Sequence, residues 1–211
     1  MTPLAQLRTH AVLPVIIADD RDCADSLGDA LVAGGLPLAE VTLRTPAALD
    51  VIRVLAQRTD ILVGAGTVLT ADQVDASVDA GAAFIVSPGL SRAVVGRCLD
   101  RAVLPIPGAV TATEVQAALE FGLDTVKFFP AESAGGSAAI SALAAPFASM
   151  SFVPTGGVND SNLDSYLALP SVIAVGGSWM VPRELVRSHD VAGLVGVISS
   201  AVVRVKNSRP H

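Results

Sequence analysis

Lysine is scarce in this chain of 211 residues: among fourteen basic side chains only Lys127 and Lys206 are lysines. No run of Lys or Arg occurs anywhere, and the net charge is −6 with an isoelectric point of about 4.9. The chain therefore lacks the electrostatic footprint needed for nucleic acid or an anionic membrane surface. Cysteine is equally sparse. Cys23 and Cys98 are too few for a disulfide framework in a chain this long, and they read as two reduced thiols of a cytosolic protein. The three histidines, His10, His189 and His211, fall in a leader, a late loop and the terminus. That scatter offers neither a zinc cluster nor a Ser-His-Asp triad, so a metal-independent chemistry with no cofactor is expected. Long apolar runs are missing too. "AVLPVIIA" from Ala11 faintly imitates a signal peptide, but it holds Pro14 and runs straight into "DDRD", as a buried strand does. No run approaches the roughly eighteen residues of a membrane span.

What the chain has in quantity is apolar residues, 51% of the total, with a mean hydropathy of +0.57. One large core is affordable at this length, and residues 1–211 read as one domain. Short β-branched runs begin at Val12, Leu38, Ile61, Ala82, Val103, Asp124, Ser151 and Val172. Between them lie stretches such as "CADSLGDALVAGG", "PAALDVIRVLAQR" and "TATEVQAALEFGL", apolar at three and four spacing with charges opposite. Strand and helix alternating in this way predict a parallel sheet with helical crossovers, and eight units predict a (β/α)₈ barrel. "MTPLAQLRTH" reads as a short N-terminal helix at the bottom of that barrel, "SAGGSAA" as a loop leading into a helix, and "NSRPH" as a disorder-prone tail. An open doubly wound sheet is the rival fold. Its nucleotide fingerprint is absent, because "ADDRDC" has no glycine and "GAGTVL" lacks the third.

In a barrel, side chains at the C-terminal strand ends make the one active-site face. Glu40, Thr42, Arg44, "GAGT", "SPG", "PGAVT", Lys127, "TGG" and "GGS" all fall at such ends. Alternation places Thr125, Lys127 and Phe129 on one face of their strand and Val126 and Phe128 on the other. Lys127 then points inward. A structural ion pair or a snorkelling side chain is the bland explanation for such a lysine. Its rarity and its polar surroundings favour a nucleophile instead: burial beside another cation disfavours the ammonium and frees the amine to attack a carbonyl. Glu40 and Arg44 share a face of the second strand, as a salt bridge or as a working pair. In the second case Glu40 shuttles protons during imine formation, and Arg44 grips a substrate carboxylate with its planar fork. The pairs Gly156–Gly157 and Gly176–Gly177, the latter followed by Ser178, are either tight turns or a backbone cradle for phosphate with a helix N-terminus. Trp179 reads as packing.

The ordered set "LAEVTLRT", "VGAGTVL", "FIVSPGL", "PIPGAVTATE", "VKFFPAE", "PTGGV" and "GGSWMVP" resembles the class I 2-keto-3-deoxy-6-phosphogluconate (KDPG) aldolases, from about Leu13 to Pro182. The resemblance implies a homotrimer of (β/α)₈ barrels. The residue matching Lys127 forms a Schiff base, that matching Glu40 is the acid and base, and that matching Arg44 holds the substrate carboxylate. Thr67 and Pro88 line the pyruvyl pocket, Phe129 packs beside the imine, and Thr155, Gly156, Gly157, Gly177 and Ser178 border the hydroxyl chain or the phosphate. The implied substrate is a phosphorylated 2-keto-3-deoxy sugar acid, cleaved to pyruvate and glyceraldehyde 3-phosphate. The family also cleaves 4-hydroxy-2-oxoglutarate (KHG), and a sister branch takes the galactonate epimer; Thr155 looks more like the gluconate branch. Two departures stand out, "PGAVTATE" where a serine-threonine turn is frequent and the polar tail. Two other classes share the glycine loops: a phosphosugar epimerase or isomerase, and a non-catalytic phosphometabolite-binding barrel.

Overall fold

The computed structural model describes residues 1–208. Helix α1 (Pro3–His10) leads into β1 (Val12–Ile16), and strand and helix then alternate: α2 (Cys23–Ala33), β2 (Leu38–Thr42), α3 (Ala48–Ala56), β3 (Leu62–Gly66), α4 (Ala71–Asp79), β4 (Phe84–Val86) and α5 (Arg92–Asp100). The second half continues with β5 (Leu104–Ile106), α6 (Ala112–Glu120), β6 (Thr125–Phe128), α7 (Gly136–Ala144), β7 (Ser151–Pro154), α8 (Leu163–Leu167), β8 (Val175–Gly177), α9 (Arg183–Arg187) and α10 (Val191–Ser208). Each strand lies within one of the β-branched runs of the sequence.

All strand pairs are parallel, as crossover helices require. Six strands run in the order β5-β4-β3-β2-β1-β8, and β6 pairs with β7 in a second ladder. Single bridges connect the ladders: Gly108 to Lys127 beyond β5, and Phe152 to Val172 and Thr155 to Gly176 beside β8. The Lys127 N–H donates to Pro107 O at 2.8 Å and its carbonyl accepts from Ala109 N at 2.8 Å, so the main chain of Lys127 is held from the β5 side. The result is an α/β fold with a curled parallel sheet.

Helix starts are set by hydroxyl caps in the loops at the C-terminal strand ends. Thr70, Ser91 and Thr111 accept from Gln73 N, Val94 N and Glu114 N and so begin α4, α5 and α6. At Thr111 the cap is reciprocal, with the Glu114 carboxylate accepting from the N–H groups of Val110 and Thr111 at 2.9 Å. Burial opposes ionisation of Glu114, yet these hydrogen bonds prevail and hold its carboxyl below the usual range. At the opposite end Leu7 of α1 is fully buried, and Arg8 donates to Ser151 Oγ at 3.0 Å, where β7 begins. That puts α1 at the N-terminal strand ends, as expected from the sequence.

Two stretches differ from the sequence reading. "SAGGSAA" is not all loop, since α7 begins within it at Gly136, after Gly135 has turned the chain at φ +103°. Asn207 and Ser208 of the expected tail belong to α10, where Ser208 Oγ donates to Arg204 O at 2.8 Å; residues 209–211, including His211, lie outside the described residues. Helix α10 is 18 residues long with a hydropathy of 1.2, enough in length and composition for a membrane span. Its apolar residues are nevertheless divided. Leu194, Ile198, Ala201 and Val205 are buried at helical spacing, Val203 on the opposite side is exposed, and Arg204 on the flank pairs with Asp164. The amphipathic pattern is that of a helix covering a core.

Candidate active site

A cavity of about 290 Å³ opens among the C-terminal strand ends, lined by Val15, Glu40, Thr42, Arg44, Thr67, Pro88, Lys127, Phe129 and Thr155. Strands β1, β2 and β6 and the loops after β2, β3, β4, β6 and β7 contribute to it, which is how residues 140 positions apart come to share a space. At its floor Lys127 Nζ donates to Glu40 Oε1 at 3.1 Å, with the two side chains 8% and 1% exposed. The sequence reading expected a carboxylate and a guanidinium close to the lysine's cavity. Both Glu40 and Arg44 line it, and the direct partner of the amine is the carboxylate, because Glu40 and Lys127 are inward residues of β2 and β6.

The room for that carboxylate comes from β3. A Cβ built on Gly66 would stand 2.3 Å from Glu40 Oε1, so only glycine there leaves the Glu40 side chain in place. Thr42, the next inward residue of β2, is buried and donates its hydroxyl proton to Ile16 O at 2.8 Å, leaving its oxygen lone pairs towards the cavity. Arg44 lies past the end of β2, exposed at the mouth, and no carboxylate among the described residues pairs with it. A planar fork with its donors unspent is suited to an incoming carboxylate.

Thr67 adopts φ +58°, the left-handed region, which for a β-branched residue costs about 1–3 kcal/mol. That backbone turns the chain just after β3 and leaves Thr67 lining the cavity. Phe129 flanks the amine, with Lys127 Nζ 5.3 Å from its ring centroid. Phe128 faces the other way and meets Phe152 edge to face at 6.5 Å. The opposite assignments of the two phenylalanines follow from the alternation in β6.

The glycine pairs behave differently from each other. Gly156 and Gly157 follow β7 at φ +99° and +80°, conformations that glycine adopts without strain. Among the described residues no acceptor takes the N–H of either. Gly176 and Gly177, in contrast, are not a turn after the eighth strand but residues of β8 itself. A Cβ on Gly176 would meet Thr155 Oγ1 at 2.3 Å, and one on Gly177 would meet the Trp179 ring at 1.7 Å. Both are vacancies that neighbours fill, so Trp179 packs as the sequence suggested. Ser178 is exposed at the end of β8, and the next helix, α9, starts only at Arg183. The helix N-terminus expected directly after "GGS" is not there.

Of the site positions expected from the sequence, Glu40, Arg44, Thr67, Pro88, Lys127, Phe129 and Thr155 line one cavity, and Gly156 and Gly157 continue from Thr155. Two contributors escaped the sequence. Val15 faces the cavity from β1, in register with Glu40, and its signal is only the alternation of an almost wholly apolar strand. Gly66 carries no chemistry of its own, and its role needs the β2–β3 register to be seen. His10 ends α1 and His189 follows α9, both away from the cavity lining, and no cluster of three His, Cys, Asp or Glu side chains suited to a metal occurs among the described residues.

Comparison with known proteins adds a family to this geometry. The 2-dehydro-3-deoxy-phosphogluconate aldolase of Treponema pallidum is 48% identical over 90% of this chain and 91% of its own. The KHG/KDPG aldolase of Escherichia coli K12 is 41% identical over 95% and 94%. Among solved structures, the KDPG aldolase of Legionella pneumophila, with pyruvate captured as a covalent carbinolamine intermediate, superposes with a TM-score of 0.91 at 38% identity, covering 95% of this chain and 98% of that one. The model of the KDPG and KHG aldolases matches residues 4–197. With that match spanning nearly its whole length, the chain belongs to the KDPG and KHG aldolase family.

Proposed function

We propose that this protein is a class I aldolase that cleaves 2-dehydro-3-deoxy-6-phosphogluconate to pyruvate and glyceraldehyde 3-phosphate, and 4-hydroxy-2-oxoglutarate to pyruvate and glyoxylate as a second substrate. The observation that carries the reading is the buried Lys127–Glu40 pair, 3.1 Å apart at the floor of a cavity whose mouth holds an unpaired arginine. The names of the relatives and the covalent carbinolamine of the Legionella enzyme support the same chemistry.

Lys127 gives its proton to Glu40 and attacks the C2 ketone, forming the C–N bond. Glu40 returns that proton to the oxygen, making the carbinolamine hydroxyl, then carries a second proton from the nitrogen to the hydroxyl, which leaves as water, and the protonated imine stands at C2. Glu40 then takes the proton of the C4 hydroxyl. The C3–C4 bond breaks, its electron pair moves into the imine, and glyceraldehyde 3-phosphate departs from an enamine. Reprotonation at C3 and hydrolysis release pyruvate and restore the amine. The imine is the electron sink, which is why the cycle asks for no metal and no cofactor. One positioned acid and base contributes about 10²–10⁴-fold to such a step. Arg44 takes the C1 carboxylate, Thr67 and Pro88 bound the pyruvyl end, and Phe129 covers the imine. Thr155 meets the hydroxyl chain, a contact that favours the gluconate over the galactonate epimer. The free N–H groups of Gly156 and Gly157 support a phosphate cradle there, completed by Ser178 at the end of β8.

The same reading includes closure of the eight strands into a (β/α)₈ barrel, which the three bridges between the ladders support, and one domain over residues 1–211. It includes a homotrimer, as the family resemblance implies, and a cytoplasmic location, as the two free cysteines suggest. The test is pyruvate release from the two 6-phosphate epimers assayed side by side. Release from the gluconate epimer in excess is expected, and release from neither would overturn the reading.

A further inference from the structure

Just beyond the cavity, the loop after β6 is fastened to the loop after β7. The N–H of Ala131 donates to Thr155 O at 2.8 Å and that of Glu132 to Gly156 O at 3.0 Å, extending the β6–β7 ladder past the strand ends. The Glu132 side chain then crosses Gly157. A Cβ on Gly157 would lie 2.7 Å from Glu132 Cβ and 2.6 Å from its Cγ, so the two residues share one space. The carboxylate ends at the hydroxyl of Tyr166, which donates to Glu132 Oε1. Tyr166, on α8, is fully buried. Burial and then the Glu132 carboxylate push its phenol well above the ordinary range, so it stays a donor at any physiological pH.

Glu132 is thus a carboxylate whose stem lies on Gly157, beside two backbone N–H groups that have no acceptor among the described residues. An anion tethered so close is the natural competitor for any anion those N–H groups receive. In the structure it is spent on Tyr166 instead. Gly157 is also steadied from the far side, with its carbonyl accepting from Asn162 Nδ2 at 3.1 Å and Asn159 Nδ2 at 3.3 Å.

We propose that Tyr166 is a positioning residue for phosphate recognition: its hydroxyl holds the Glu132 carboxylate off the Gly156–Gly157 N–H groups and so keeps that cradle open for the substrate phosphomonoester. Neither side chain touches the reacting carbons. The pair acts on the phosphate end alone, and it does so by removing an internal rival rather than by adding a contact. This inference rests on the aldolase reading above.

The test separates the phosphate end from the imine end. For Tyr166→Phe, KM for the 6-phosphate substrate rises roughly tenfold, the equilibrium value of one hydrogen bond to a charged acceptor, while kcat and the rate of pyruvate-dependent borohydride inactivation stay within about twofold, below the effect of one such bond. Adding Glu132→Gln to that variant removes the competing charge and brings KM most of the way back. An unchanged KM in Tyr166→Phe would overturn the proposal. So would an equal loss at both ends, which marks a packing role, or a double variant no better than the single one. If the wild-type protein neither cleaves the 6-phosphate substrate nor is trapped by pyruvate, the aldolase reading fails first and takes this inference with it.

Discussion

Gly66 and Glu40 compete for one volume: a methyl group on Gly66 would stand 2.3 Å from Glu40 Oε1, on a strand whose own backbone takes no left-handed turn there. The glycine therefore serves the acid and base, not the fold. For Gly66→Ala the far-ultraviolet spectrum should keep its shape while kcat falls about 10²-fold, the low end of what a displaced general acid and base costs. Full turnover in this variant would mean that the carboxylate position does not matter.

The Lys127–Glu40 pair is placed for chemistry at a cost in stability. Both side chains have left water, and a lone buried charge is worse than none. Replacing Lys127 alone with methionine should destabilise the protein by about 3–5 kcal/mol in urea unfolding, because Glu40 is left without its partner. Replacing both with methionine should recover most of that loss. A double variant no more stable than the single one would show that the pair is a structural brace.

Stability should also carry a signature of His10. Burial lowers its pKa below the ordinary histidine value of 6.5, so in the folded protein the neutral ring is favoured. Above pH 6.5 the ring is mainly neutral in both folded and unfolded chains, and its contribution is fully present. As pH falls below 6.5 the unfolded chain takes up the proton first, and the contribution is lost through the folded-state pKa. Melting temperatures measured from pH 7.5 to pH 5 should fall more steeply for the wild type than for His10→Gln, and parallel curves would contradict this.

The sequence carried the strands because short β-branched runs between helical stretches leave little else to form, and it carried Lys127 because alternation in "DTVKFF" allows only two facings. The expected cavity residues were legible for the same reason, as inward positions at strand ends. What escaped was everything that depends on register across strands. Gly176 and Gly177 look like a turn in one dimension, and only the approach of Thr155 and Trp179 reveals them as vacancies in a strand. Glu132 and Tyr166 are 34 positions apart in loops and helices whose sequence pattern says nothing of their meeting. The carboxylate partner of Lys127 was foreseen as a neighbour in the cavity, but its direct hydrogen bond to the amine was not.

The central claim is that Lys127 becomes covalently joined to the substrate carbonyl carbon. Borohydride reduction in the presence of pyruvate, followed by peptide mass mapping, tests it most directly. The account predicts one pyruvate-derived secondary amine on the peptide containing Lys127, dependent on pyruvate and absent from Lys127→Met; a protein that remains unlabelled, or an adduct on any other residue, would contradict it.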